Sequence, residues 1–256
     1  MRKGLAKILK ASVPSVVGVV FLLVVWAVCY ALVGNGYLIA SPWESLKAAF
    51  SLLGKGSLYG AFFATFFRAV TAFLISLAAA LPLAALSFVY PPFGKFLAPT
   101  VACFRALPTL AVLLLLLVLL GGNGAAVAVG VSALFPMLYT AFYQSLVGVD
   151  GKLKELCVAF EVPPIKQIKG LYLPHALPKA VERGGAALSF ALKITVSAEI
   201  LAVTFQSVGG LMQEARLAAE MATLTALTLL VCVIGIAIES ACNALARSLA
   251  RRFLCE

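Results

Sequence analysis

Charge is scarce in this sequence, and acid is scarcer than base: ten Asp and Glu stand against twenty Lys and Arg in 256 residues. Charged residues make up 12% of the chain and hydrophobic residues 63%, whereas soluble domains run at about 25% and roughly 45–50%. With a mean hydropathy of +1.07, an ordinary water-soluble domain is excluded and lipid becomes the expected solvent. Histidine occurs once, at His175, and nothing nearby completes a catalytic triad or a metal set, so it reads as a polar surface residue. No G-x-x-x-x-G-K-[ST] is present, which excludes ATP hydrolysis by a P-loop on this chain. The G-x-G at Gly122–Gly124 follows no strand and lacks a third glycine, so it is no dinucleotide fingerprint. Six cysteines (Cys29, Cys103, Cys157, Cys232, Cys242 and Cys255) form no C-x-x-C pair and no zinc spacing. No disulfide, metal, cofactor or catalytic residue is expected.

What the chain does contain is long apolar runs. About 20 such residues cross roughly 30 Å of hydrocarbon, and six segments qualify, near 13–33, 62–89, 96–120, 125–147, 184–204 and 221–246. They predict an all-α membrane protein with about six transmembrane helices in a single domain over 1–256. The basic start followed by an apolar run resembles a signal peptide. That run exceeds the roughly 7–15 residues of a cleavable core, so a retained first span is expected. Between the first two spans, Ser41-Pro42-Trp43-Glu44 reads as a helix cap with proline in the first turn. A short interfacial helix should follow, with Trp43 at headgroup depth. Gly121-Gly122-Asn123-Gly124 predicts a tight turn between spans three and four.

A net charge of +10 would suggest nucleic acid for a soluble protein, but placement assigns it to topology. With the N-terminus inside, fourteen of the twenty basic residues fall in cytosolic segments, and only Lys47, Lys55 and Arg216 lie outside. Basic residues mark the cytosolic face, so both termini are expected there, and no nucleic-acid partner is. The largest cytosolic segment, 150–183, is the most informative. KLKELCVAF predicts a short helix ended by Pro163-Pro164. IKQIKGLYLP, with Ile165, Ile168, Leu171 and Leu173 among lysines, predicts a second amphipathic helix, with Pro174 and Pro178 bracketing the start of span five. A proline-bounded helix lying under the membrane suits a docking surface.

This segment resembles the cytosolic loop of bacterial ATP-binding-cassette importer permeases, E-A-A-x-x-x-G, nine residues, then I-x-L-P. Aligned on Leu173-Pro174, the motif glutamate is Glu155 and the isoleucine position is Leu171; Leu156 and Cys157 replace the alanines, and Glu161 replaces the glycine. Ser41-Pro42, Arg105-Ala106-Leu107-Pro108, Phe135-Pro136, Gly148-Val149-Asp150, Ala198-Glu199 and Gly209-Gly210-Leu211 are similar to the sulfonate/nitrate/taurine branch, in order and spacing. The resemblance implies a type I importer permease bundle in a bacterial inner membrane, paired with a second permease copy as a homodimer or heterodimer. It further implies two cytosolic ATPase subunits, an extracytoplasmic substrate-binding protein, and a small solute, with sulfonates, taurine, nitrate and small heterocyclic precursors as the alternatives. The implied docking residues are Glu155, Cys157, Ala159, Glu161, Ile165, Ile168, Leu171, Leu173 and Pro174, on a coupling helix held in a groove of the ATPase. At position 161 a glycine would permit a turn that other residues make at a cost of about 1 kcal/mol. Pro163-Pro164 offers an alternative turn that would make the glycine unnecessary. Either the motif has drifted at this position while still working, the reading favoured here, or Glu161 pairs with a basic residue on a matched ATPase.

Charges inside a bilayer are costly and mark function by default. Lys193, Arg105 and Glu199 are therefore the translocation-path candidates. Either Lys193 and Arg105 face the pore and favour an anion, or they pair with Glu199 or Glu239 or reach an interface to hold the bundle together. Two other classes compete with the importer reading. A secondary transporter or channel would show internal inverted repeats, of which none is evident. An intramembrane enzyme would need a clustered catalytic set, which one histidine and isolated acids do not supply.

Overall fold

In an apolar surrounding every backbone N–H must find its acceptor within its own segment, and this chain is helical almost throughout. The structure is a computed structural model that describes residues 2–254. It runs α1 (Arg2–Val33), α2 (Pro42–Leu53), α3 (Gly56–Val89), α4 (Pro91–Ala106), α5 (Thr109–Val147), α6 (Gly151–Ala159) and α7 (Pro164–Gln167). A π turn (Ile168–Tyr172) leads into α8 (Leu173–Ala202), then α9 (Val208–Leu217) and α10 (Met221–Leu254). No strand occurs among the described residues.

Four helices among the described residues are long and apolar enough to cross a membrane: Gly56–Val89, Thr109–Val147, Ile165–Ala202 and Met221–Arg252. The segments expected near 62–89, 125–147, 184–204 and 221–246 fall on these four helices, and Val17–Val33 of α1 is a shorter apolar stretch within the segment expected near 13–33. Span three, placed at 96–120, is two helices. Pro108 has no N–H to donate and forces the residue before it out of the helical region. Leu107 accordingly sits at φ −64°, ψ 125°, and the chain breaks at Leu107–Pro108. The four-residue glycine turn does lie where expected. Gly121 takes φ 68°, ψ 176° inside α5, a conformation that glycine adopts without a Cβ penalty. The two arms of α5 fold back on each other, so that Leu113 packs with Ala125, Ala126 and Val129 in one buried cluster.

The chain forms two compact units. The first comprises Met1–Leu58 and Leu211–Leu230. In it Trp26 Nε1 donates to the Ala40 carbonyl at 3.1 Å. The Ser41 hydroxyl accepts the Glu44 N–H at 3.1 Å with Pro42 at the first helical position, the cap expected from the sequence. Ser45, Ala49 and Leu52 form the buried face of α2, while Trp43 is exposed beneath the Lys47 ammonium, 5.3 Å from its ring centroid.

The second unit comprises Tyr59–Gly210 and Val231–Glu256. Its packing relies on small residues. Ala69, Ala72, Ala80 and Ala84 of α3 are fully buried, and a Cβ placed on Gly130 of α5 would meet the Ala72 Cβ at 2.9 Å. Small side chains let helices approach closely where no hydrophobic gain over lipid is available. Tyr139 adds a polar clamp, its hydroxyl donating to Ser87 Oγ at 2.9 Å across α5 and α3.

Candidate functional site

The segment 150–183 is built from its caps outward. Asp150 accepts the Lys152 N–H at 3.0 Å and starts α6. The helix ends in a Schellman turn: the Val162 N–H reaches the Cys157 carbonyl at 2.9 Å and the Glu161 N–H reaches Val158 at 3.1 Å, closed by one left-handed residue. That residue is Glu161, at φ 47°. The alternative turn through Pro163-Pro164 is thus corrected: the glycine conformation persists, and a glutamate adopts it. Pro163-Pro164 instead begins the next helix. This helix is not the short proline-bounded unit expected, because Ile165–Ala202 is one continuous helical run. Pro174 directly follows the π turn and Pro178 lies inside α8, so both stand within this run.

Both ends of the segment are tied to the bundle. Lys154 Nζ donates to the Val147 carbonyl at 3.2 Å, and His175 Nε2 lies 3.0 Å from the Gly148 carbonyl and 2.7 Å from Lys179 Nζ. Arg183 Nη1 donates to the Ala141 carbonyl at 3.2 Å and to Gln144 Oε1 at 3.0 Å. These basic groups gather at the C-terminal end of α5, where unpaired carbonyls and the helix dipole favour cations. Phe88 of α3 meets Tyr172 edge-on at 5.1 Å.

Of the docking residues expected, Glu155, Ala159, Glu161, Ile165, Ile168 and Leu173 are exposed, and Cys157, Leu171 and Pro174 are half-buried. Val158, Phe160 and Leu156 were not among them. Phe160 is 77% and Val158 74% exposed beside Ile165 at 69%, and apolar exposure of that kind marks an interaction surface. Their signal in the sequence was their being apolar within an otherwise basic stretch.

The three charged path candidates occupy different surroundings. Glu199 is fully buried and its carboxylate is engaged on both oxygens. Oε1 meets Arg68 Nη1 at 2.8 Å, while Oε2 accepts the Thr65 hydroxyl at 2.8 Å and the Gly209 N–H at 3.2 Å. The sequence reading that paired Glu199 with Lys193 or Arg105 is corrected, since its partner is Arg68 of α3. Lys193 is exposed, and its ammonium has no ion-pair or hydrogen-bond partner among the described residues. Arg105 lies in the last turn of α4, with Nη2 bonded to the Thr140 hydroxyl. It lines a cavity of about 500 Å³ together with Thr140, Gln144 and Arg183.

Residues 76–253 match the family described as the binding-protein-dependent transport system inner membrane component. The chain belongs to that family. It is an ABC transporter permease for import, a multi-pass membrane protein and a transport subunit. Over 222 residues the permease is 27% identical to a probable ABC transporter permease protein of Brucella melitensis, covering 86% of this chain and 90% of the relative. A probable ABC transporter permease protein of Brucella abortus is also 27% identical, with 86% and 88% covered. The fold is similar to that of an inward-facing MetNI methionine ABC transporter, with a TM-score of 0.63, 18% identity, and 75% of this chain and 95% of that chain covered. An amino acid ABC transporter crystallised with histidines is similar at a TM-score of 0.59 and 14% identity, covering 75% and 92%.

The Ala198-Glu199 and Gly209-Gly210-Leu211 signatures of the permease meet in one place. A helix start leaves its first four N–H groups without intrahelical partners, and three of those at α9 are satisfied from outside the helix ladder. Val208 N–H donates to Thr65 Oγ1 at 3.0 Å, Gly209 N–H to Glu199, and Gly210 N–H to Ser207 Oγ at 2.9 Å. Gly209 must be glycine, because a Cβ there would lie 2.7 Å from both the Ile200 nitrogen and the Val196 carbonyl oxygen. Thr65 and Arg68 were missed as members of this cluster. Only the charge of Arg68 inside an apolar run hinted at them.

Proposed function

We propose that the permease forms the translocation path for a small solute, of the sulfonate, nitrate or taurine kind, and is driven by a separate cytosolic ATPase docked on the segment 150–183. The observation that carries this reading is the unbroken helical run Ile165–Ala202, which carries the exposed apolar residues Ile165, Ile168 and Leu173 directly into an apolar bundle helix. A rigid rod transmits displacement where a flexible linker would absorb it. The grip of Lys154, His175 and Arg183 on the end of α5 supports the same role, because it ties a second bundle helix to the segment.

In this reading Leu156, Val158, Phe160, Ile165, Ile168 and Leu173 seat in a groove of the ATPase. Glu155, Cys157, Ala159, Leu171 and Pro174 shape the turn and its flanks, and Glu161 meets a basic residue of a matched ATPase. The 256 residues act as a single membrane domain in a bacterial inner membrane with both termini cytosolic, alongside a second permease copy and an extracytoplasmic binding protein. Lys193 and Arg105 are the charges assigned to the path. Glu199 serves it indirectly by fixing α9 against α3 and α8.

Co-purification tests the docking. Tagged wild-type permease should retain its ATPase through size exclusion, and Phe160→Asp should lose it while keeping its own elution volume and unfolding midpoint. Retention of the ATPase by Phe160→Asp and by Val158→Asp together would remove the segment from the interface. A ligand screen on the cognate binding protein then identifies the solute class.

A further inference from the structure

Two cavities of the second unit share a wall. One, of about 500 Å³, is lined by Phe104, Arg105, Thr140, Gln144, Arg183 and Phe190 among others. The other, of about 660 Å³, is lined by Lys95, Arg105, Tyr139, Thr140 and Tyr143 among others. Arg105 and Thr140 belong to both. Three basic residues thus face this space, and no Asp or Glu lines either cavity. The arginines are already oriented by protein bonds, Arg105 through Nη2 to Thr140 and Arg183 through Nη1 to Ala141 and Gln144. Their other guanidinium N–H groups have no partner among the described residues. Thr140 lies seven residues before Val147, the end of α5, a rise of roughly 10 Å, which places the pair close to one mouth of the bundle.

We propose that Arg105 and Arg183, with Thr140 and Gln144 holding them in position, form a binding station for the oxyanion head group of a small solute, a sulfonate or carboxylate. The assignment rests on the importer reading above and names the residues that would select the anion. A planar guanidinium presents parallel N–H donors that match a carboxylate or sulfonate edge. Two forks on one cavity, with no acid to neutralise them, favour an anion over a zwitterion or cation. The volume suits a small molecule rather than a macromolecular segment. Arg183 is the new element, a residue that sequence reading placed at the edge of the loop. Its position on α8 puts the station on the same rod that carries Ile165 and Ile168, so movement of the docking segment would displace one arginine relative to the other.

Binding of radiolabelled methanesulfonate to the purified, lipid-depleted permease in detergent tests this. Wild type should bind saturably, and R105Q and R183Q should each weaken binding at least tenfold, with Lys55→Gln unchanged. R183K keeps a positive charge near Ala141 and Gln144 while losing the fork. It should also weaken binding and serves as the readout if R183Q does not assemble. Binding that is absent in wild type, or indifferent to both arginines, overturns the station, as does anionic lipid occupying the site in preference to methanesulfonate. ATP-driven uptake in proteoliposomes with the cognate ATPase and binding protein is read separately. Uptake of any solute without arginine-dependent methanesulfonate binding removes the station and leaves the importer reading. Arginine-dependent binding without uptake does the reverse.

Discussion

Arg68 Nη1 lies 2.8 Å from Glu199 Oε1, joining α3 to α8 across 131 residues of sequence. Each is a charge that an apolar helix would expel if alone, and each is retained because the other is there. The Glu199 carboxylate also takes the Thr65 hydroxyl and the first turn of α9, so one side chain fixes three helices.

Breaking that pair should destabilise the permease strongly. Removing one partner of a buried pair leaves an uncompensated charge and costs about 3–5 kcal/mol. Arg68→Met and Glu199→Gln should each lower the thermal unfolding midpoint in detergent. The double variant should be less damaged than the sum of the two singles; full additivity would show that the pair is not coupled.

Glu161→Gly should raise stability by roughly 1 kcal/mol, since a non-glycine residue at φ 47° bears a Cβ penalty that glycine lacks. The measurement is the unfolding midpoint of the permease alone. ATPase affinity and coupled hydrolysis, measured on the same variant, decide the second role. A fall in affinity despite higher stability is expected from a Glu161 contact to a basic ATPase residue, and unchanged coupling would discard that contact.

Gly209→Ala should also destabilise the permease. Its Cβ would press within 2.7 Å of the Ile200 and Val196 backbones, and overpacking of this kind costs about 1–3 kcal/mol or more. Poor recovery of folded protein, with Gly210→Ala as a companion, is the expected result. A normal unfolding midpoint for Gly209→Ala would contradict the close approach of α9 to α8.

Val203→Gly should stabilise. Val203 is β-branched and held at φ 47° after the end of α8, a conformation that such residues adopt only under constraint. A gain of about 1 kcal/mol or more, read as a higher unfolding midpoint, is expected. No gain would mean that the valine side chain contributes packing equal to its backbone strain.

Lys193→Met bears on the path. The Lys193 ammonium is exposed and unpartnered among the described residues, so its loss leaves no orphaned charge behind. The variant should assemble normally and transport an anionic solute more slowly. Uptake at the wild-type rate with intact assembly would remove Lys193 from the path.

Composition and periodicity by themselves determined that this chain is a helical membrane protein, that Ser41 caps a helix, that the glycines near 121 make a turn, and that 150–183 is a distinct basic segment. Those features depend on local chemistry: hydrocarbon length, a hydroxyl before a proline, a backbone without Cβ. Only the tertiary structure decided which charges meet. Arg68 and Glu199 lie far apart in sequence, and no periodicity links them. The cavity that joins Arg105 to Arg183 exists because α5 turns back at Gly121 and α8 packs beside it. The conformation of Glu161 was likewise undecidable from neighbours alone, because prolines two and three residues later permitted two turns. The Schellman bonds to Cys157 and Val158 selected the left-handed one, since they satisfy the carbonyls that α6 would otherwise leave unpaired.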